Sequence, residues 1–297
     1  MLAFHTDRYA LPLPPGHRFP ADKYARLRSR VEAELPTGAV TLREPPAATD
    51  EQILRAHTAR WLRAVASGDL LREEQRDLGL PWSVGMVERA RRSAGATLEA
   101  CRAALASGIA VHLAGGTHHA HADRGGGFCV FNDAAIALRA MLAEGLVRSA
   151  VVIDCDVHQG DGTATILAGD ARTRTFSIHG RANYPFRKAT SDLDIELEDG
   201  TTDEAYLEAL DGALARMPGL VGADLAIYLA GADPWRDDRL GRLALSKEGL
   251  AERDRRVLAR CARAGVPVAV CMAGGYARDI EDTVDIHVTT VRIAAGL

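Results

Sequence analysis

"AVVIDCDVHQGDG" (150–162) opens on an apolar, mostly β-branched run and then turns acidic. A short run that is apolar at successive positions and rich in Val and Ile reads as a strand buried on both faces. Four other runs share that character: "IAVHLA" (109–114), "TRTFSIH" (173–179), "DLAIYLA" (224–230) and "PVAVCMA" (267–273). Helical periodicity fills the rest of the chain over 50–67, 84–107, 132–144, 203–216, 247–264 and 279–295. Strands alternating with helices build βαβ units, so the expected fold class is α/β, a three-layer α/β/α sandwich around a mostly parallel sheet. "LAFH" (2–5) and "AVTLRE" (39–44) are weaker strand candidates, and the Pro-rich stretches 11–20 and 44–51 read as loops. Thr201 and Glu204 have capping-box spacing ahead of "AYLEALDGALARM" and predict a cap on the 203–216 helix. With no internal repeat and no long linker, residues 1–297 are expected to form one domain.

The composition narrows the function classes. The 297 residues are 47% hydrophobic and 26% charged, and the formal net charge of −4 argues against nucleic-acid or membrane binding through bulk charge. The cysteines, at 101, 129, 155, 261 and 271, form no CxxC pair, so a thiolate zinc site is not expected and reduced thiols in a cytoplasmic setting fit best. The first residues show neither a basic n-region nor a long apolar core, so no secretory leader is expected. Nowhere do about 18 apolar residues run together, so no membrane span is expected either.

The residues just past the strands carry the chemistry. "HLA" runs into "GGTHH", "VVIDCD" into "VHQGDG", "AIYLA" into "GADP" and "AVCMA" into "GGY". In an open parallel sheet ligands bind beyond the carboxyl ends of the strands, so four strands deliver histidines, aspartates and a tyrosine to one edge. If the chain stays extended through 154–158, Asp154, Asp156 and His158 project to one side. Asp156 and His158 then offer an oxygen and a nitrogen to a metal, and Asp233 of "GADP" is the natural third ligand. Two carboxylates and one imidazole suit a divalent ion, Zn²⁺ foremost, with Fe²⁺ and Co²⁺ compatible with the same donors. Hydrolysis at such a centre also needs a base and an oxyanion donor. The adjacent pair His118 and His119 supplies the first, each with a spare acid, Asp154 or Asp161, to fix its tautomer. Tyr276, after Gly274 and Gly275, supplies the second. The glycines of "DRGGGFCVFND" (123–133) allow close backbone approach to a ligand, with Phe128 as one wall of a narrow channel.

Taken in order, "GGTHHA", "GGGFCVFNDAAIA", "DCDVHQGDGT", "GADP" and "AGGY" resemble the metal-dependent histone deacetylase and acetylpolyamine amidohydrolase family of the arginase/deacetylase fold. "DVHQGDGTA", "DRGGGFCVFND" and "DRLGRLALSKEGL" look most like class IV deacetylases and their bacterial relatives. The resemblance implies a zinc-dependent amidohydrolase that removes acetyl or longer acyl groups from the ε-amino group of lysine. Its substrate would be an acyl-lysine protein or peptide. Acetylpolyamines or other small N-acyl amines are the alternative within the same chemistry, and a dimanganese ureohydrolase is the alternative on the same fold.

The resemblance also implies roles. Asp156, His158 and Asp233 would hold Zn²⁺. His119 would be the general base, oriented by Asp161, and His118 the electrostatic histidine, paired with Asp154. Tyr276 would polarise the amide carbonyl, the Gly127 carbonyl would accept the substrate N–H, and Phe128 would line the acyl-lysine tunnel. A structural K⁺ near Asp154, Asp156, His158, Ser177 and Ile178 is implied as well. The pattern departs at two places. Where class I enzymes carry a rim acid two residues before a proline, this chain has Gly79 in "LGLPWS". In place of the usual entrance loop stands "YALPLPPGHRFPADKY" (9–24).

Overall fold

The computed structural model describes residues 1–9 and 11–296; Ala10 of the entrance segment and Leu297 lie outside the described residues. In chain order its elements are β1 (Leu2–Phe4), α1 (Lys23–Glu34), β2 (Thr41–Arg43), α2 (Asp50–Leu54), α3 (Ala59–Ser67), α4 (Arg72–Leu78), α5 (Val84–Ser107), β3 (Ile109–His112) and α6 (Asp133–Ala143). They continue with β4 (Ala150–Asp154), α7 (Asp161–Leu167), β5 (Thr173–Gly180), β6 (Leu193–Leu197), α8 (Asp203–Arg216), β7 (Leu225–Leu229), α9 (Lys247–Ala264), β8 (Val268–Cys271) and α10 (Ile280–Ala294). The strands join in one sheet of order β2-β1-β3-β8-β7-β4-β5-β6, and every neighbouring pair is parallel.

The strand composition explains the layers. Successive residues point to opposite faces. On β4, Val151 and Ile153 enter one core with Leu27 and Val31 of α1, Tyr206 and Leu210 of α8, Val257 of α9 and Val288 of α10. Ala150 and Val152 enter the other, with Trp61 of α3, Leu98 of α5 and Ile136 and Leu138 of α6. Both faces of the sheet are therefore covered, which is why the central strands carry no alternating polar positions.

Register places the strand ends level. Asp154 pairs with Leu229, Leu229 with Cys271, and Cys271 with His112, so β3, β8, β7 and β4 stop together at the middle of the sheet. The loops that follow share one edge.

Three sequence expectations change. The 50–67 helix is two helices, α2 and α3. The chain breaks at 55–58 because the Thr58 N–H bonds the Ala122 carbonyl (2.7 Å) and the Thr58 side chain caps α3. Thr201 does not cap α8. Its hydroxyl donates to the Glu198 carbonyl (2.7 Å), Thr202 occupies the N-cap position, and the Asp203 carboxylate accepts from the Ser246 N–H and hydroxyl. Nor does the strand stay extended to His158. It ends at Asp154, and two successive turns follow, in which the Asp156 N–H donates to Asp154 Oδ1 and the His158 N–H to Asp156 Oδ1. Each aspartate captures the amide two residues on, a turn its short side chain favours. No helix among the described residues is long and apolar enough to cross a membrane.

Candidate active site

The turns after β4 bring Asp156 and His158 face to face. His158 Nδ1 lies 2.9 Å from Asp156 Oδ1 and 3.3 Å from Asp233 Oδ2, the latter arriving from the loop after β7. The other oxygens are already engaged: Asp156 Oδ2 accepts from the Gly274 N–H (2.8 Å) and Asp233 Oδ1 from the Val157 N–H (2.9 Å). Asp233 Oδ2 is buried without a hydrogen-bond donor. A Cβ built on Gly274 would fall 1.9 Å from that oxygen, so the cradle is kept open by a missing side chain. Burial and the charge of Asp156 push the Asp233 carboxyl up to about 6. Burial would lower His158, but its bond to Asp156 and the charges of Asp233 and Asp156 outweigh that and raise it to about 10. Two carboxylates and an imidazole converging on one orphaned oxygen make a donor set that a divalent cation satisfies, displacing the proton. The donors fit the metal that the sequence implies.

The histidine pair stands beside this cradle. His118 Nδ1 donates to Asp154 Oδ2 and His119 Nδ1 to Asp161 Oδ1, each at 2.7 Å, because an ionised carboxylate can only accept. Nε2 is thus the free nitrogen of each ring; that of His118 lies 3.9 Å from Asp156 Oδ1. The two environments pull apart. Burial would depress His118, but the charges of Asp154 and Asp156 win and hold it at about 9. Burial and the His118 charge depress His119 to about 4. One imidazole is charged and its neighbour neutral near pH 7. Burial would raise Asp161, yet bonds from His119 and His121 keep it well below the usual carboxylate range.

These groups floor a cavity of about 720 Å³. Gly127 and Phe128 form one wall. Gly127 has φ +51°, and a Cβ there would lie 2.6 Å from His119 Cδ2, so glycine lets the loop close on the ring. Phe128 holds the left-handed φ of 68°, fixed by its N–H to the Leu78 carbonyl (2.9 Å). Its ring packs against Gly79, where a Cβ would sit 3.0 Å from Phe128 Cε1. The rim position that lacks an acid is therefore one where a side chain meets the tunnel wall. The entrance segment closes another side: His17 Nε2 bonds the Gly79 carbonyl (3.0 Å), and the Phe19 ring lies 5.4 Å from Phe128 and 6.4 Å from Tyr276. The Tyr276 ring lines the cavity 6.0 Å from Phe128. In the region implied for a K⁺, Ser177 pairs with Asp154 across the ladder, and its hydroxyl bonds His179 Nδ1 (2.9 Å).

Several supporting residues escaped the sequence reading. Asp238, of the quoted "DRLG", accepts the Tyr276 N–H at 2.6 Å and the N–H groups of Leu240 and Gly241, so it anchors the tyrosine loop. Lys23, fully buried in α1, donates to the Gly275 carbonyl (3.2 Å) on that loop. Tyr184 faces His119 edge-on at 4.8 Å and lines the same cavity as Phe128. Asp133 accepts from the Gly116 and Thr117 N–H groups and the Thr97 and Thr117 hydroxyls, and so holds the loop that presents the pair. Asp238, Lys23 and Asp133 act on backbone amides and carbonyls, mostly far along the chain, and Tyr184 acts on a ring. Only an acid in a run with "DRLG" or "FND" hinted at two of them.

A profile of the histone deacetylase domain matches residues 17–291. The chain is 40% identical over 286 residues to an uncharacterised protein of Picosynechococcus sp. (strain ATCC 27264 / PCC 7002 / PR-6), covering 96% of this chain and 95% of that one. It is 34% identical over 202 residues to histone deacetylase 2 of Arabidopsis thaliana, covering 66% of this chain and 52% of that protein, so the match spans about half of the plant protein's length. In three dimensions it resembles the crystal structure of the HDA15 HD domain, with a TM-score of 0.83 at 20% identity over 100% of this chain and 91% of that one; this is a likeness of fold. Since the profile spans nearly the whole chain and meets the two His–Asp pairs at the sheet edge, the chain belongs to the histone deacetylase family of hydrolases.

Proposed function

We propose that this chain is a zinc-dependent lysine deacylase of one domain, working in the cytoplasm and standing nearest the class IV enzymes and their bacterial relatives. The observation that carries the reading is the presence of two buried His–Asp pairs beside a three-donor cradle on one cavity floor. Asp156, His158 and Asp233 would hold the ion. When bound, a divalent cation supplies Lewis acidity to the amide carbonyl and to water. His119, kept neutral with Nε2 free, takes the proton of the attacking water, and Asp161 holds its ring. His118, bonded to Asp154, is the electrostatic histidine beside the anionic transition state. Tyr276 donates its hydroxyl to the developing oxyanion. The Gly127 carbonyl accepts the amide N–H of the substrate, Phe128 and Tyr184 flank the lysine stem, and His119 or His118 returns a proton to the departing amine. A K⁺ bound near Asp154, Asp156, His158, Ser177 and Ile178 would brace the strand ends.

The mouth favours acyl-lysine in a protein over a polyamine. Arg18, Arg76, Arg124 and Arg242 line it; Arg76, Arg124 and Arg242 pair with Asp77, Asp123 and Asp199, which leaves Arg18 as the excess positive charge among these groups. That excess disfavours a polycation more than a carboxylate-bearing peptide. The ureohydrolase alternative needs further ligands at the cradle. The other cluster of metal-capable side chains among the described residues, His112, Asp133 and Cys271, has its carboxylate bonded by N–H and O–H donors. The deciding experiment is a panel of acetyl- to myristoyl-lysine peptides with acetylspermidine, run before and after chelation and with Zn²⁺ restored. Lysine substrates should exceed acetylspermidine by at least about tenfold in kcat/KM, with one Zn²⁺ per chain. Faster turnover of acetylspermidine, activity that survives chelation, or two equivalents of Mn²⁺ would reject the reading.

A further inference from the structure

Asp161 makes two bonds, and the mechanism above uses one. Oδ1 accepts from His119 Nδ1 at 2.7 Å, while Oδ2 accepts from His121 Nε2 at 3.0 Å. His121 is the third histidine of "HHAH" (118–121), and its side chain is only 13% exposed. The loop around it is fixed on both sides: its N–H donates to the Arg124 carbonyl (2.9 Å), and Asn132 Nδ2 bonds the Ala120 carbonyl (3.1 Å). The ring is not placed by chance against a mobile partner.

We propose that His121 is a positioning residue for the general base, acting through the carboxylate of Asp161. This rests on the reading of His119 as that base. A carboxylate held at one oxygen still rotates about its Cβ–Cγ bond. A donor at the second oxygen pins the carboxylate plane, and with it the ring and tautomer of His119. Such orientation of a reacting group by its outer partner is what keeps a near-attack geometry. The chain His119–Asp161–His121 does not pass a proton outward, because an aspartate of this kind stays ionised while it orients its histidine. His121 therefore acts on placement.

The test uses the full-length, zinc-loaded chain and an acetyl-lysine peptide. His121→Phe keeps a ring and removes the donor. His121→Gln sets an amide N–H where Nε2 stood. His121→Asn, too short to reach Asp161, replaces the phenylalanine variant should that one not fold. kcat, KM, zinc content and melting temperature are measured for each, with His119→Ala alongside. The expected result is a fall in kcat of about 10–100-fold in His121→Phe or His121→Asn, with KM within about twofold and zinc retained. His121→Gln should recover to within about threefold of wild type. A kcat unchanged without the donor, an equal loss in all three variants, or a rise in KM alone would overturn the proposal. His119→Ala separates the two levels. If it retains turnover, the general-base reading fails. If it is inactive while His121→Phe is unaffected, only the role of His121 fails.

Discussion

A Cβ at Gly274 would fall 1.9 Å from Asp233 Oδ2 and 2.5 Å from Asp156 Oδ2, inside the space that the three donors enclose. The Gly274 N–H also holds Asp156 Oδ2, so the backbone cannot retreat without freeing one of the proposed ligands. Gly274→Ala should therefore lose the metal; elemental analysis of the folded variant checks this, and full zinc occupancy would refute it. Two residues on, Tyr276→Phe isolates a different contribution. The ring and its packing against Phe19 and Phe128 stay, and only the hydroxyl goes. Removing one donor to an oxyanion costs about 10²–10³ in kcat, with zinc and melting temperature unchanged. Activity within about threefold of wild type would make Tyr276 a packing residue. Neighbouring positions on one loop should thus fail in opposite ways, one in binding and one in rate.

At the scale of elements, α6 joins stability to the site. Asn132 caps it, its Oδ1 accepting the Ala135 N–H (3.0 Å), while its Nδ2 donates to the carbonyls of His118 and Ala120 and to the Thr163 hydroxyl. Asn132→Ala removes the cap and strands buried carbonyls beside the histidine pair, so it should cost about 2–4 kcal/mol in urea unfolding and lower kcat as well. A loss under about 0.5 kcal/mol would show that solvent or neighbouring donors replace the side chain. The strands that matter were legible in the sequence because their apolar runs have few polar interruptions. The helices α5, α8 and α9 were legible by period. What escaped has physical reasons. Half of the residues of helix α1 are charged, with Tyr24, Leu27 and Val31 its buried stripe. The edge strand β6, "LDIEL", is half exposed. Both α4 and α7 are too short to show a period. Of the candidate site, Asp156 with His158 and the histidine pair could be picked out because residues close in sequence share a motif. Asp238, Lys23 and Tyr184 could not, since each meets the site only through tertiary packing.

At the scale of the whole molecule, burying so many histidines ties stability to acid. Burial, with the Arg139 charge adding, depresses His57 from its ordinary 6.5 to about 4. Its Nε2 accepts the Asn132 N–H at 2.9 Å, a bond that protonation would break. Burial also pushes His112 and His179 down to about 4. For such groups the sign is fixed. Above about pH 6.5 both folded and unfolded chains hold them neutral, and their contribution to stability is complete. Between about pH 6.5 and 4 the unfolded chain takes up the proton and the folded chain does not, so stability falls as the pH falls. In the metal-free chain His118 and His158, held at about 9 and about 10, are protonated in both states below about pH 6 and add little slope there. His57→Gln keeps an acceptor for Asn132 and removes one titrating group. Denaturant unfolding of wild type and variant between about pH 4.5 and 6 should then give a slope smaller by up to about 1.4 kcal/mol per pH unit in the variant. Parallel stability curves would mean that His57 is protonated in the folded chain, and that the cap of α6 does not depend on its lone pair.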